Sequence, residues 1–177
     1  MVIDIFLVRH GAAQRDSGIA YHEPPGPPLT PQGVDEACQA AAFLAGKGLE
    51  HLFVSPFVRT SQTADQLAAH LMVPRTVTPL IEENRRDEPM EALRLRVRDF
   101  LSTLPLLPLR RVGLVTHGMP MRALLLELSQ GQVDFSGYGD EWGNPAPTGG
   151  IWRALYTHPT WQIEFLFRPQ LREPVRH

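Results

Sequence analysis

The sequence predicts an α/β fold: a three-layer α/β/α sandwich around a mostly parallel sheet, with an antiparallel hairpin at the C-terminal end. Three observations carry that prediction. Short runs of β-branched and apolar residues alternate with longer stretches of helical periodicity, the pattern of βαβ units. Two of those runs, 2–8 (VIDIFLV) and 112–116 (VGLVT), are almost wholly apolar, as strands buried on both faces are. Two later runs, 151–156 and 161–167, flank His158-Pro159-Thr160 and read as a hairpin. No repeat or compositional break divides the chain, so a single domain over 1–177 is expected.

The elements follow in order. The strand at 2–8 runs straight into Arg9, His10 and Gly11. Residues 12–29 hold Gly18, Gly26 and a Pro-Pro-Gly-Pro-Pro run, a loop stiffened by proline. Thr30 then suits an N-cap with Pro31 at the first helical position. Val34, Ala37, Cys38, Ala41 and Leu44 recur at helical spacing until Gly46 and Gly48 stop the helix. A strand at 51–54 leads to Ser55, read as the cap of a second helix with Pro56 at its first position, running to about Leu71. Residues 76–78 form a third strand that ends near Leu80 and Ile81, before a charged loop over 82–88. The helix at 90–104 places Leu93, Val97, Phe100 and Leu104 on one face and is stopped by Pro105 and Pro108. The strand at 112–116 ends at His117 and Gly118, and a helix follows from about Pro120 to Leu128. Residues 131–150 are a Gly/Pro/Asp loop containing Tyr138 and Trp142, and the charged tail after Pro169 is expected to fray.

Composition narrows the function. With 17 basic against 19 acidic residues the net charge is -2, so no global field draws the chain to nucleic acid or a membrane surface. Neither is expected as a partner. The single cysteine, Cys38, cannot form an internal disulfide and reads as a small core residue. The N-terminal apolar run is interrupted by Asp4 and is too short for a signal peptide or a spanning helix, which points to a cytoplasmic setting. Gly46-Lys47-Gly48 lacks the remainder of a nucleotide-binding loop, and no paired-cysteine or His-Glu-x-x-His zinc pattern is present.

In open α/β sheets, ligands bind outside the carboxyl ends of the parallel strands. After the first strand stand Arg9 and His10; soon after the second, Arg59; after the third, Glu82 and Glu83; after the fourth, His117. The fold gathers these on one sheet edge. Arginine presents planar, permanently charged donors matched to phosphate oxygens, so Arg9 and Arg59 are candidate clamps. Their fields favour a neutral imidazole at His10, whose lone pair can attack phosphorus in line. A protonated His117 would add a further donor, and the helix N-terminus at Ser55 further amides. With this many fixed donors neither metal nor organic cofactor is expected. Glu82 or Glu83 would protonate the leaving oxygen and then activate water.

Leu7-Val8-Arg9-His10-Gly11 resembles the signature of the histidine phosphatase superfamily, which includes the cofactor-dependent phosphoglycerate mutases. Leu29-Thr30-Pro31-Gln32-Gly33 looks like the family's usual helix start. Residues 55–64 (SPFVRTSQTA) look like its second arginine segment. Thr116-His117-Gly118, with Arg122 downstream, looks like its second histidine segment. The order and spacing agree over most of residues 3–128. The resemblance implies His10 as nucleophile, Arg9, Arg59 and His117 as phosphate pocket, a carboxylate as proton donor, and a phosphoric monoester hydrolase of the histidine acid phosphatase type. Two departures matter. Ala12 and Ala13 replace residues common in the mutases, and the segment 80–84 (LIEEN) lacks the usual context of the family's acid. The spacing Leu80-x-Glu82 places Glu82 ahead of Glu83. The chain also lacks the long insertions of the mutases, so mutase activity is not expected.

The expected reaction is hydrolysis of a small phosphorylated metabolite. A protein phosphohistidine phosphatase is the alternative within enzymes, and an inactive phosphate-binding or interaction domain the alternative outside them. Arg15, Tyr21, His22 and Trp142 are candidate substrate contacts beside the plainer reading of loop residues.

Overall fold

The computed structural model describes residues 1–170. The portion of the charged tail from 171 onward lies outside the described residues. Six strands form one sheet: β1 (Asp4–Arg9), β2 (His51–Val54), β3 (Arg75–Val77), β4 (Arg111–Thr116), β5 (Ile151–Thr157) and β6 (Thr160–Phe167), in the order β3-β2-β4-β1-β5-β6. The first four strands run parallel; β5 is antiparallel to β1, and β6 to β5. The expected α/β class, mostly parallel sheet and C-terminal hairpin are all present.

Four helices cover the two faces: α1 (Pro31–Leu44), α2 (Val58–Leu71), α3 (Met90–Thr103) and α4 (Gly118–Leu128). Alternation along β1 shows how. Phe6 and Val8 pack with Ala41 and Leu44 of α1 and Leu67 of α2. Ile5 and Leu7 pack on the other side with Val97 of α3 and Leu124 and Leu125 of α4. All six β1 residues are buried, which is why the four between its charged ends, Ile5 to Val8, are continuously apolar. Asp4 closes one end of that run as Arg9 closes the other, and Asp4 is held by a partner. It is 2% exposed, and its carboxylate accepts a fork of bonds from Arg153 Nε and Nη2 at 2.8 and 2.9 Å.

Local departures from the sequence reading have physical causes. Thr30 does cap α1, accepting from Gly33 N. Ser55, however, does not cap α2: the helix starts at Val58, with Phe57 in the cap position. The amide of Val58 donates instead to Pro25 of the proline-rich loop, while Thr60 Oγ1 donates to the carbonyls of Ser55 and Phe57. The amides expected to face an anion here are therefore partly engaged. The third strand ends at Val77; Thr78 then caps a 3₁₀ turn, Pro79–Ile81. Helix α4 begins two residues earlier than expected, with Pro120 tolerated in its first turn.

The chain leaves β1 toward β2 and leaves β4 toward β5, on opposite sides of the central β4–β1 pair. That reversal opens a crevice at the carboxyl ends of β1 and β4. No helix among the described residues is long and apolar enough to cross a membrane.

Candidate active site

The crevice is built from backbone outward. His10 N donates to Thr116 O at 3.0 Å, tying the end of β1 to the end of β4. Gly11 and Gly33 pack backbone to backbone: a Cβ on Gly11 would meet Gly33 O at 2.1 Å. Thr63 Oγ1 on α2 accepts from Gly11 N at 3.1 Å and donates to Arg59 O at 2.7 Å. Thus the turn carrying His10 and the helix carrying Arg59 are locked together.

His10 is 1% exposed. Its Nδ1 lies 2.7 Å from Gly11 O, a carbonyl that can only accept, so Nδ1 carries the proton. Nε2 then holds a lone pair, which accepts from Arg59 Nε at 3.2 Å. Burial first, then the cationic fields of Arg59 and Arg9, push the imidazole well below its ordinary 6.5. The expected neutral His10 follows from this.

Arg59, the second residue of α2, is fully buried. Its Nη2 donates to Glu83 Oε2 at 3.1 Å and its Nη1 to Tyr21 O at 3.0 Å. The guanidinium also lies over the rings of Tyr21 and Phe57. Arg9 donates through Nη1 to Asp140 Oδ2 at 2.5 Å and to Ala146 O at 2.6 Å.

His117 stands at the end of β4 with its ring centroid 5.1 Å from that of His10. Burial, then Arg59 and His10, hold it well below 6.5, so the protonated donor expected from sequence is not the form this environment favours. The alternative is visible in its contacts. Ser55 Oγ lies 2.7 Å from Nε2, and Nδ1 is buried without a hydrogen-bond partner. With Ser55 donating to Nε2, a neutral His117 keeps an Nδ1–H aimed into the site.

Of the two glutamates, Glu83 joins the cluster. It is 6% exposed, reaches Arg59, and sits 3.5 Å from His117 Nδ1. Glu82, which the spacing favoured, turns its carboxylate toward Arg85 at 3.5 Å. The 3₁₀ turn at 79–81 alters the phase of the chain, so the later residue faces inward.

Around this core lies a cavity of about 450 Å³ lined by Arg9, His10, Glu83 and the loop residues Arg15, Tyr21, His22 and Trp142. Arg15 lies over the Trp142 ring at 4.7 Å and joins the two loops across the mouth. His22 packs edge-on against Tyr21.

Three participants escaped the sequence reading: Asp140, Thr63 and Glu36. Glu36 of α1 is 3% exposed and accepts from Ala12 N at 2.8 Å, just beyond the His10 turn. No local signal marks Asp140, whose partner lies 131 positions away.

His10, Glu83 and His117 offer ligand atoms within 4.8 Å of one another, a spread that a small cation could bridge. The Arg59 guanidinium already occupies two of the three, however, and Arg9 stands beside them. A divalent ion there would face two fixed positive charges. Donors gathered in this way suit an anion better than a cation.

The sequence model of the histidine phosphatase superfamily (branch 1) matches residues 5–87. Over that segment, which is less than half of the chain, the sequence is similar to the histidine phosphatase superfamily. Over 82 residues it is 33% identical to the phosphohistidine phosphatase SixA of Escherichia coli K12, covering 45% of this chain and 48% of SixA. Over 79 residues it is 34% identical to the uncharacterized Mycobacterium tuberculosis protein Rv0525, covering 44% of this chain and 39% of that protein. These alignments span less than half the length of the curated relatives. The fold is similar to that of the mycobacterial glucosyl-3-phosphoglycerate phosphatase Rv2419c complexed with VO3, with a TM-score of 0.77 and 18% identity over 93% of this chain and 98% of the other. At that identity the likeness concerns the fold alone.

Proposed function

We propose that this protein is a metal-independent phosphomonoesterase that works through a phosphohistidine at His10. The observation that carries the proposal is the setting of His10: a buried imidazole whose Nδ1 lies against the Gly11 carbonyl, leaving the Nε2 lone pair to face the Arg59 guanidinium.

The chemistry follows from the named atoms. Incoming phosphate oxygens take over Arg59 donors now engaged by His10 and Glu83, and so release the Nε2 lone pair. Nε2 forms a bond to phosphorus as the ester P–O bond breaks. The departing electron pair goes to the ester oxygen, which takes a proton from Glu83 in its acid form. The Glu83 carboxylate then removes a proton from water as the water oxygen attacks phosphorus. The P–N bond breaks, its electrons return to Nε2, and inorganic phosphate leaves. Arg9, Arg59 and the Nδ1–H of His117 hold the equatorial oxygens throughout.

The substrate we propose is a small phosphorylated metabolite, because two loops bridged by Arg15 and Trp142 border a cavity of only about 450 Å³. A second reading, a protein phosphohistidine phosphatase, is favoured by the SixA match. Turnover on phosphohistidine peptides compared with sugar and nucleotide phosphates decides between them. The proposal includes a cytoplasmic setting, where Cys38 can persist as a free thiol.

The test is hydrolysis of a chromogenic aryl phosphate in excess chelator by the wild type and His10→Ala. Turnover that survives chelation and vanishes in the folded variant is the expected result. An inactive wild type that still binds vanadate would favour a phosphate-binding domain instead.

A further inference from the structure

We propose that Asp140 is a positioning residue that sets which edge of the Arg9 guanidinium meets the phosphoryl group. The inference rests on the phosphoryl-transfer reading above.

An arginine has five N–H donors, and its bidentate recognition of phosphate uses either the two terminal nitrogens or Nε with Nη2. In this structure both hydrogens of Arg9 Nη1 are engaged, by Asp140 Oδ2 at 2.5 Å and by Ala146 O at 2.6 Å. That excludes the end-on fork. Nε is buried and has no hydrogen-bond partner among the described residues. An orphaned buried donor on a cation is costly unless a ligand completes it. With Nη1 held from the loop side, the Nε–Nη2 edge is the one left for two phosphate oxygens.

Asp140 is itself rigidly held, as a positioning group must be. Oδ1 accepts from the amides of Trp142 and Asn144, each at 3.0 Å, and from Asn144 Nδ2 at 3.1 Å. Asn144 Nδ2 also reaches Oδ2 at 2.9 Å. Asn144 in turn packs against the first residue of α4: a Cβ on Gly118 would meet its Oδ1 at 1.7 Å. The carboxylate therefore links the 131–150 loop to the helix that follows His117. Burial pushes the Asp140 carboxyl up, but the hydrogen bonds from Arg9 and Asn144 together outweigh it and keep the group below its usual range, so it is ionised at neutral pH. Arg9 and Asp140 are 6% and 18% exposed at their side chains, which limits screening by solvent.

Charge alone and positioning make opposite predictions. Removing a carboxylate beside an anion site tightens anion binding if only its charge matters. It weakens binding and turnover if Arg9 then rotates. The test is a double-mutant cycle with Arg9→Lys, which keeps the positive charge and loses the fork. Orthovanadate affinity is read by calorimetry, which needs no turnover, and kcat on an aryl phosphate is read beside it. We expect Asp140→Ala to weaken vanadate binding and lower kcat by about tenfold or more in the Arg9 background. In the Arg9→Lys background the same change should alter both by less than about threefold. Equal factors in the two backgrounds, or tighter vanadate binding in Asp140→Ala alone, would overturn the proposal. Should Asp140→Ala not fold, Asp140→Asn enters the same cycle, with the same loss expected only beside Arg9. Vanadate binding that follows this pattern without turnover would sink the hydrolase reading and leave the Arg9 inference standing.

Discussion

Replacing Glu83 by glutamine separates the two halves of the proposed reaction. The side chain keeps its size and one oxygen for Arg59 Nη2, now 3.1 Å away, but loses its charge and its transferable proton. Removing one partner of a buried ion pair costs about 3–5 kcal/mol when nothing replaces it. Arg59 is fully buried and Glu83 nearly so. Because glutamine retains an acceptor, a loss below about 3 kcal/mol is expected and the protein stays folded. The kinetic effect depends on the leaving group. An alkyl oxygen needs a proton to depart, so the phosphorylation step should slow by about 10²–10⁴. A nitrophenolate leaves unaided, so its phosphorylation step should be nearly unchanged while water attack on the phosphohistidine becomes slow. Stopped-flow with the aryl ester should then show a burst of phenol equal to the enzyme, followed by slow turnover; the alkyl ester should show none. Glu82→Gln should behave as wild type on both substrates, since its carboxylate faces Arg85. Equal losses on both esters without a burst, or a loss carried by Glu82→Gln, would refute the assignment.

Three further outcomes follow from the same geometry. Ser55→Ala leaves the buried Nε2 of His117 without its partner and should cost about 1–3 kcal/mol in urea unfolding, along with weaker vanadate binding; unchanged values would show that the bond is not made. Gly11→Ala forces a Cβ to within 2.1 Å of Gly33 O, so the His10 turn must shift, and activity should fall further than that of Ala12→Gly in side-by-side assays. Both imidazoles are held below 6.5, so below about pH 6.5 the unfolded chain binds two protons that the native state refuses. Stability should fall as pH drops below 6.5, with a slope that approaches about 1.4 kcal/mol per unit for each imidazole, and the slope should be shallower in His10→Gln; identical slopes would count against the neutral assignment.

What the sequence disclosed, and what it hid, divides along physical lines. The strands of the central pair were legible because burial on both faces leaves an apolar run, as at Ile5 to Val8 of β1. Once a parallel sheet was inferred, Arg9, His10, Arg59 and His117 had to meet, because each follows a strand end by a short fixed distance. Glu83 was not separable from Glu82 for want of a signal that a 3₁₀ turn precedes them. Ser55 was misplaced because Ser-Pro normally opens a helix; here the amide of Val58 found Pro25 across the chain, and the hydroxyl went to His117. Asp140 and Glu36 were hidden for a different reason. One sits in a loop whose composition says only that it turns, and the other on a helix face scored for apolar residues, and each takes its meaning from a distant partner.

The central claim is that phosphorus is bonded to His10 during turnover. Rapid acid-free quenching of the wild type with a ³²P-labelled phosphoester, followed by peptide mapping, addresses it directly. The account predicts a label stable to base, labile to acid, located on the peptide carrying His10, and absent from His10→Ala. A label elsewhere, or full turnover in the wild type with no trapped phosphoenzyme even when Glu83→Gln slows water attack, would contradict it.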